Sequence, residues 1–306
     1  MEKFKGIFPA FYACYDDRGE ISVERCEAFT RHLINKGVAG LYVGGSSGEC
    51  IYQSVSERKT VLEAVVRAAE GRIAIIAHVA CNNTRDSMKL AAHAESLGVD
   101  AIAAIPPIYF KLPPHAIVKY WNDISSAAPN TDFIIYNIPQ LAGVALTLPL
   151  LSEMLKNPRL LGVKNSSMPT MDIERFKHEG TKGGRRFIVF NGPDEQLAAG
   201  LTAGADAGIG GTYGVMPELF LAMTACVEEG RLAEAAAIQH AVNDIITTLC
   251  SCRGNLYAVI KAVIALREGL SLGGVRAPLA NIEEADMDTV RLGAAMIDAA
   301  IASYAK

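Results

Sequence analysis

The sequence predicts an α/β protein, a (β/α)8 TIM barrel carrying a C-terminal helical extension. Three observations lead there. Eight short apolar runs alternate with longer amphipathic segments across roughly the first 230 residues. The step from one run to the next is about 30 residues, the size of a βαβ unit. Several runs are apolar throughout instead of alternating in polarity, the pattern of parallel strands covered on both faces.

The runs are GIFPAFYAC (6–14), GLYVGG (40–45), RIAIIAHV (72–79), DAIAAIPP (100–107), DFIIYN (132–137), LLGVKN (160–165), RFIVFN (186–191) and ADAGIGG (205–211). Helical patterns lie between them. In SVSERKTVLEAVVRAAEG, Ser54 and Glu57 fit a capping box, Val61, Leu62, Val65 and Ala69 form one face, and Gly71 can close the end. NTRDSMKLAAHAESLG repeats the plan, with Gly98 as the stop. A doubly wound open sheet is the competing fold. It usually carries a Gly-rich phosphate fingerprint after its first strand, and none follows residue 14; the glycines of GIGGTYG (208–214) have the wrong spacing and sit at the last run. Beyond residue 230 the rhythm stops and three helical patterns remain, near 231–250, 255–268 and 283–304, with no Pro/Gly/Ser linker before them. The expected organisation is a barrel over 1–230 and a helical extension over 231–306 packed on it.

Half of the 306 residues are hydrophobic, ample for a large core. The net charge of -4 comes from interspersed acids and bases, so no nucleic-acid partner is expected. YAVIKAVIAL is interrupted by Lys261 and too short to span a bilayer, and the N-terminal residues lack a secretory pattern, so a cytoplasmic protein without a membrane partner is expected. The seven cysteines are scattered, with Cys250 and Cys252 at the wrong spacing for zinc, and read as reduced thiols. The six histidines form no His-Glu-x-x-His pattern, so no metal is expected; His78 reads as structural.

Active sites of such barrels sit at the C-terminal ends of the strands. There, LLGVKNSS ends an apolar run on Lys164, and the preceding run ends on Tyr136. Adjacent parallel strands lie about 4.8 Å apart, so the amine and the phenol can share a pocket. A lysine with an ordinary pKa of about 10.4 is protonated and a poor nucleophile, but desolvation favours the free amine. That amine attacks a ketone to form a Schiff base, and the iminium draws electrons from a neighbouring carbon–carbon bond. This is aldol chemistry with no cofactor beyond the covalent adduct, and Tyr136 can move its protons. The competing reading is a solvated lysine at a strand end. Gly44-Gly45-Ser46-Ser47-Gly48 offers backbone N–H groups and two hydroxyls, a nest for a carboxylate or phosphate or simply a polar loop. Glu49 binds there or orders the loop. Asp194 and Glu195 can hold several hydroxyls of a polyol, or serve as first-turn acids of a helix.

GLYVGGSSGE, YNIP, GVKNSS, FNGPDE and GADAGIGGTY stand in an order and spacing that resemble the N-acetylneuraminate lyase and dihydrodipicolinate synthase family, class I aldolases that use pyruvate. The resemblance runs over nearly the whole chain. It implies Lys164 as the Schiff-base lysine, Tyr136 as acid/base, and Ser46 and Ser47 as the holders of the pyruvate carboxylate, with Ser46 also bonded to Tyr136. It implies that Tyr109 reaches into a neighbouring subunit's site, hence a homotetramer. The synthase branch carries an arginine shortly after its YN-x-P motif; Gln140-Leu141-Ala142-Gly143 has none. The lyase branch is similar in GLYVGGS, QSVSER, IAHV and YNIP. Gly192, Asp194 and Glu195 match its positions for the sugar's hydroxyl chain, with Ser166, Gly210 and Gly211 as further substrate-binding positions. Ser47 and Ser166 stand where that branch has Thr, Pro193 where an aromatic is frequent, and Gly211 where it has Ser. The implied activity is reversible cleavage of N-acetylneuraminate to pyruvate and N-acetylmannosamine. Its alternatives are an aldolase of another 2-keto-3-deoxy sugar acid, a dihydrodipicolinate synthase-like enzyme, and, from a different class, a barrel that binds a keto acid without turnover.

Overall fold

The computed structural model describes residues 3–305. Among the described residues, eight parallel strands make one sheet: β1 (Gly6–Pro9), β2 (Gly40–Val43), β3 (Ala74–His78), β4 (Ala101–Ala104), β5 (Asp132–Asn137), β6 (Leu160–Asn165), β7 (Ile188–Asn191) and β8 (Ala207–Gly210). The order β1-β8-β7-β6-β5-β4-β3-β2 puts β1 and β2 at the two ends. Backbone bonds from Ala39 N to Ile7 O (3.1 Å) and from Phe11 N to Tyr42 O (2.9 Å) bring those ends together and close the barrel. The predicted (β/α)8 fold and the open-sheet competitor are thereby decided in favour of the barrel.

β5 and β6 match their predicted runs residue for residue. The others are shorter, because an apolar run reports burial and not strand pairing. Residues 10–15 are buried yet lie beyond the end of β1. β4 stops before Pro106 and Pro107, which have no N–H to give to a ladder. Arg72 lies outside β3 and donates to the carbonyls of Ala68 and Ala69, satisfying the end of the preceding helix. That helix, Val55–Ala69, has the expected capping box of Ser54 and Glu57 and buries the expected face. Its stop begins one residue earlier than expected: Glu70 adopts φ +51° ahead of Gly71 at φ +69°.

Two apolar clusters form. Inside the barrel, the rings of Phe4 and Phe8 meet Phe190 edge-on at 6.1 and 5.6 Å, among alanines such as Ala74, Ala101 and Ala207. The interior is thus filled and not a pore. A larger cluster lies between the sheet and its surrounding helices and continues into Leu232–Leu249, Leu256–Glu268 and Met287–Tyr304. The last helix starts later than predicted because Glu284–Asp286 forms a 3-10 turn, in which Asp286 accepts from the backbone N–H groups of Arg253, Gly254 and Glu283. No helix among the described residues is long and apolar enough to cross a membrane.

Candidate active site

The register Tyr136↔Lys164↔Phe190 places these three side chains in one row across β5, β6 and β7, facing the interior. Lys164 is 4% exposed. Its Nζ lies 4.1 Å from the centre of the Tyr136 ring and 4.2 Å from that of Tyr42. Burial lowers its pKa from 10.5 to about 7, against a smaller upward pull from the Asp194 charge. The Tyr136 phenol is pushed well up by burial, and hydrogen bonding to the Ser46 and Ser166 side chains tempers the rise. Tyr42 joins this group without being among the residues the sequence singles out. It is fully buried with its rings set edge-on to Tyr136 at 5.7 Å; a tyrosine inside an otherwise apolar run was the available signal.

On the opposite face of the same strand ends, Asn137, Asn165 and Asn191 stand in register and buried. Asn137 donates to Asn165 Oδ1 (2.7 Å) and accepts from Leu146 N (2.9 Å), while Asn191 donates to Pro193 O (2.7 Å). His78 closes the other side. Its Nε2 accepts from Ile105 N (3.4 Å), so Nδ1 carries the proton and donates to Gly44 O (2.8 Å). Burial, then the charge of Arg58, lowers its pKa to about 3 and keeps the ring neutral. Arg58 in turn donates to His78 O and Ala80 O, each at 2.7 Å. This structural role of His78 is the expected one, and it extends to the first residue of the glycine-serine turn.

That turn is tightly built. Gly44 has φ +75°, and a Cβ on Gly45 would come within 2.7 Å of the Tyr42 ring. Ser46–Gly48 forms a 3-10 turn. Ser47 donates to the Tyr257 hydroxyl (2.9 Å), a residue from the C-terminal extension that no sequence motif pointed to. Glu49 has the ordering role: it accepts from Lys261 Nζ (2.9 Å), Arg276 N (2.9 Å) and the Tyr15 hydroxyl (3.2 Å). Both Glu49 and Lys261 are almost wholly buried.

Asp194 and Glu195 diverge as expected of adjacent residues. Asp194 is 7% exposed and accepts from Gly211 N (3.1 Å), Thr212 N (2.5 Å) and Thr212 Oγ1 (2.6 Å). Burial raises its pKa to about 6, with the Thr212 bonds opposing the rise. Glu195 is exposed, with its carbonyl accepting from Asn243. Two glycines make close approach possible. A Cβ on Gly192 would lie 2.0 Å from Ser166 Oγ, and one on Gly210 would lie 2.3 Å from Asp194 Oδ1. At Gly211 it would meet Ser47 Oγ and the Tyr257 hydroxyl, both at 3.3 Å. Tyr109 stands apart from this group: it is 90% exposed, at φ +86°, with its ring edge-on to Phe110 at 5.0 Å. Among the described residues no three His, Cys, Asp or Glu side chains are grouped to hold a metal ion.

The closed barrel, with a desolvated amine and a phenol at its C-terminal mouth, defines a carbon–carbon lyase of the aldolase class. The chain belongs to the dihydrodipicolinate synthetase family, whose sequence profile matches residues 3–295. It is 60% identical to an N-acetylneuraminate lyase of Mediterraneibacter gnavus over 297 residues, covering 97% of this chain and 93% of that protein. The wild-type sialic acid aldolase of Ruminococcus gnavus superposes with a TM-score of 0.97 at 59% identity, covering 99% of this chain and 100% of that one. A catalytic lysine mutant of the same aldolase gives 0.97 at 58% identity, covering 99% of each chain.

Proposed function

We propose that this protein cleaves N-acetylneuraminate reversibly to pyruvate and N-acetylmannosamine through a Schiff base on Lys164. The observation that carries the mechanism is the buried Lys164 amine, with its pKa lowered to about 7, set against the Tyr136 ring. A large fraction is the free nucleophile at neutral pH. It attacks the C2 ketone of the open-chain sugar, forming the N–C bond of a carbinolamine. Tyr136 keeps its proton in free enzyme and gives it to the carbinolamine oxygen, which leaves as water. The resulting phenolate takes the proton of the C4 hydroxyl. The C3–C4 pair then flows into the iminium, releasing the aldehyde and leaving the enamine of pyruvate. The phenol returns its proton to C3, and water adds to the iminium while giving a proton to the phenolate, so the carbinolamine collapses to pyruvate, free Lys164 and the Tyr136 phenol.

In this reading the backbone N–H groups and hydroxyls of Ser46 and Ser47 hold the pyruvate carboxylate. Asp194, mostly charged at neutral pH, and Ser166 face the sugar's hydroxyl chain, with Gly192, Gly210 and Gly211 shaping the wall and Glu195 at its outer rim. The identity to an N-acetylneuraminate lyase supports the sugar, and the R. gnavus catalytic lysine mutant supports the lysine. The synthase-like alternative is not favoured: residues 140–143 contain no arginine for a second carboxylate. A homotetramer is proposed in which Tyr109 completes a neighbour's site. The exposure of Tyr109 (90%), Phe110 (72%) and Leu141 (62%) supports it. Free cysteines throughout the described residues support a cytoplasmic setting. The division into a barrel over 1–230 and an extension over 231–306 is likewise proposed, with the shared core in support.

Pyruvate release from a panel of 2-keto-3-deoxy sugar acids tests the substrate. N-acetylneuraminate is expected to give the highest kcat/KM, and a tenfold preference for another acid contradicts the assignment.

A further inference from the structure

The hydroxyl of Ser47 gives its proton to Tyr257: Ser47 Oγ donates to the phenol oxygen at 2.9 Å. A serine that receives a carboxylate needs that proton for the anion. Tyr257 is built to release it. It stands in the first turn of the helix Leu256–Glu268, where the Asn255 side chain accepts from its backbone N–H (3.0 Å). One turn further along, at the four-residue spacing that shares a helix face, Lys261 grips Glu49, two residues after Ser47. A single helix of the extension therefore holds the glycine-serine turn at two points. The ring of Tyr12 lies 6.1 Å behind that of Tyr257, and its hydroxyl donates to Gly211 O at 2.6 Å. Gly211 leaves the space in front open, since a Cβ there would sit 3.3 Å from both hydroxyls of the pair.

We propose that Tyr257 is a positioning residue for keto-acid binding: when the carboxylate arrives it donates its phenol proton to Ser47 Oγ, turning the Ser47 proton onto the anion. The phenol retains its proton for this purpose, because burial raises its pKa to about 12. The two-hydroxyl relay acts on the carboxylate and not on the bond that breaks. It therefore sets keto-acid affinity and leaves the chemical step unchanged. The proposal rests on the reading that Ser46 and Ser47 hold the keto-acid carboxylate.

Borohydride trapping over a range of pyruvate concentrations tests it, on full-length wild type, Tyr257→Phe, Ser47→Ala and the double variant. Tyr257→Phe is expected to raise the half-saturating pyruvate concentration about tenfold, the scale of one hydrogen bond strengthened by a charged partner, with adduct at saturation unchanged. The double variant is expected to be no worse than Ser47→Ala, because the tyrosine acts through the serine. Wild-type half-saturation in Tyr257→Phe, or an additive loss in the double variant, overturns the proposal while the carboxylate reading stands. An unchanged half-saturation in Ser47→Ala overturns both. Gly211→Ala keeps both hydroxyls and crowds them, so it serves if Tyr257→Phe does not fold. It too is expected to raise the half-saturating concentration, and an unchanged value contradicts the proposal.

Discussion

Lys164 shows how a site can be built at the expense of stability. Its amine is held against two aromatic rings in the barrel mouth, where burial disfavours the charged form. With the folded pKa near 7 and the unfolded value at 10.5, the unfolded chain binds the extra proton between those pH values. Stability therefore rises with pH across that window, and the full penalty is present below about pH 7. Lys164→Met is expected to be more stable than wild type at pH 6, by up to about 5 kcal/mol, with the difference shrinking as pH approaches 10.5. Denaturant unfolding at pH 6 and pH 9 measures this; a variant less stable than wild type at pH 6 contradicts it. The same titration predicts that kcat/KM rises with pH through about 7. Asp194→Asn, which removes the charge that holds the lysine's pKa up, is expected to move that limb to lower pH; a limb that stays in place or moves upward contradicts the coupling. Lys164 and Tyr136 were legible in the sequence because each ends its own apolar run. Tyr42 was not read out, since its contact with the amine depends on β1 and β2 meeting to close the barrel.

The glycine-serine turn is positioned as an element, not residue by residue. Glu49 pairs with the buried Lys261 and accepts from Arg276 N, while the Arg276 guanidinium pairs with Glu57 (2.5 Å) at the start of the next helix. Removing one partner of a buried pair leaves an uncompensated charge, at about 3–5 kcal/mol. Glu49→Gln is accordingly expected to lose about 3 kcal/mol in denaturant unfolding and to weaken pyruvate binding through the displaced turn. A variant within about 0.5 kcal/mol of wild type contradicts the clamp. The sequence suggested that Glu49 orders its loop but left Lys261 as an interruption in an apolar run. A charge at that position reads as a surface residue until its partner, 212 residues away, is known. Strand limits show the same division. β5 and β6 were readable to the residue because polar groups mark their ends, whereas residues 12–14 stay apolar and buried after the last backbone bonds to β8 and β2, made by Ala10 and Phe11.

At the scale of the molecule, the helical extension is part of the site's framework. Tyr257, Lys261 and Arg276 all reach back to the turn after β2. Their rhythm in sequence gave helices near the right limits, but no periodicity says which barrel loop a helix will meet. The opposite gap concerns Tyr109, whose left-handed backbone and 90% exposure are unexplained within a single chain. A bulky residue held at positive φ costs about 1–3 kcal/mol and persists where surroundings over-determine it. In the proposed tetramer a neighbouring subunit supplies those surroundings. Tyr109→Ala is expected to lower both the assembled fraction in sedimentation and kcat. Wild-type assembly with wild-type kcat sinks this role.

In the proposed reaction the buried amine of Lys164 is the nucleophile. Intact-protein mass after incubation with pyruvate and borohydride, for wild type beside Lys164→Ala, tests it most directly. A stable pyruvyl adduct is expected on wild type and none on the variant. An adduct on both proteins, or on neither while wild type is folded and turning over N-acetylneuraminate, contradicts it.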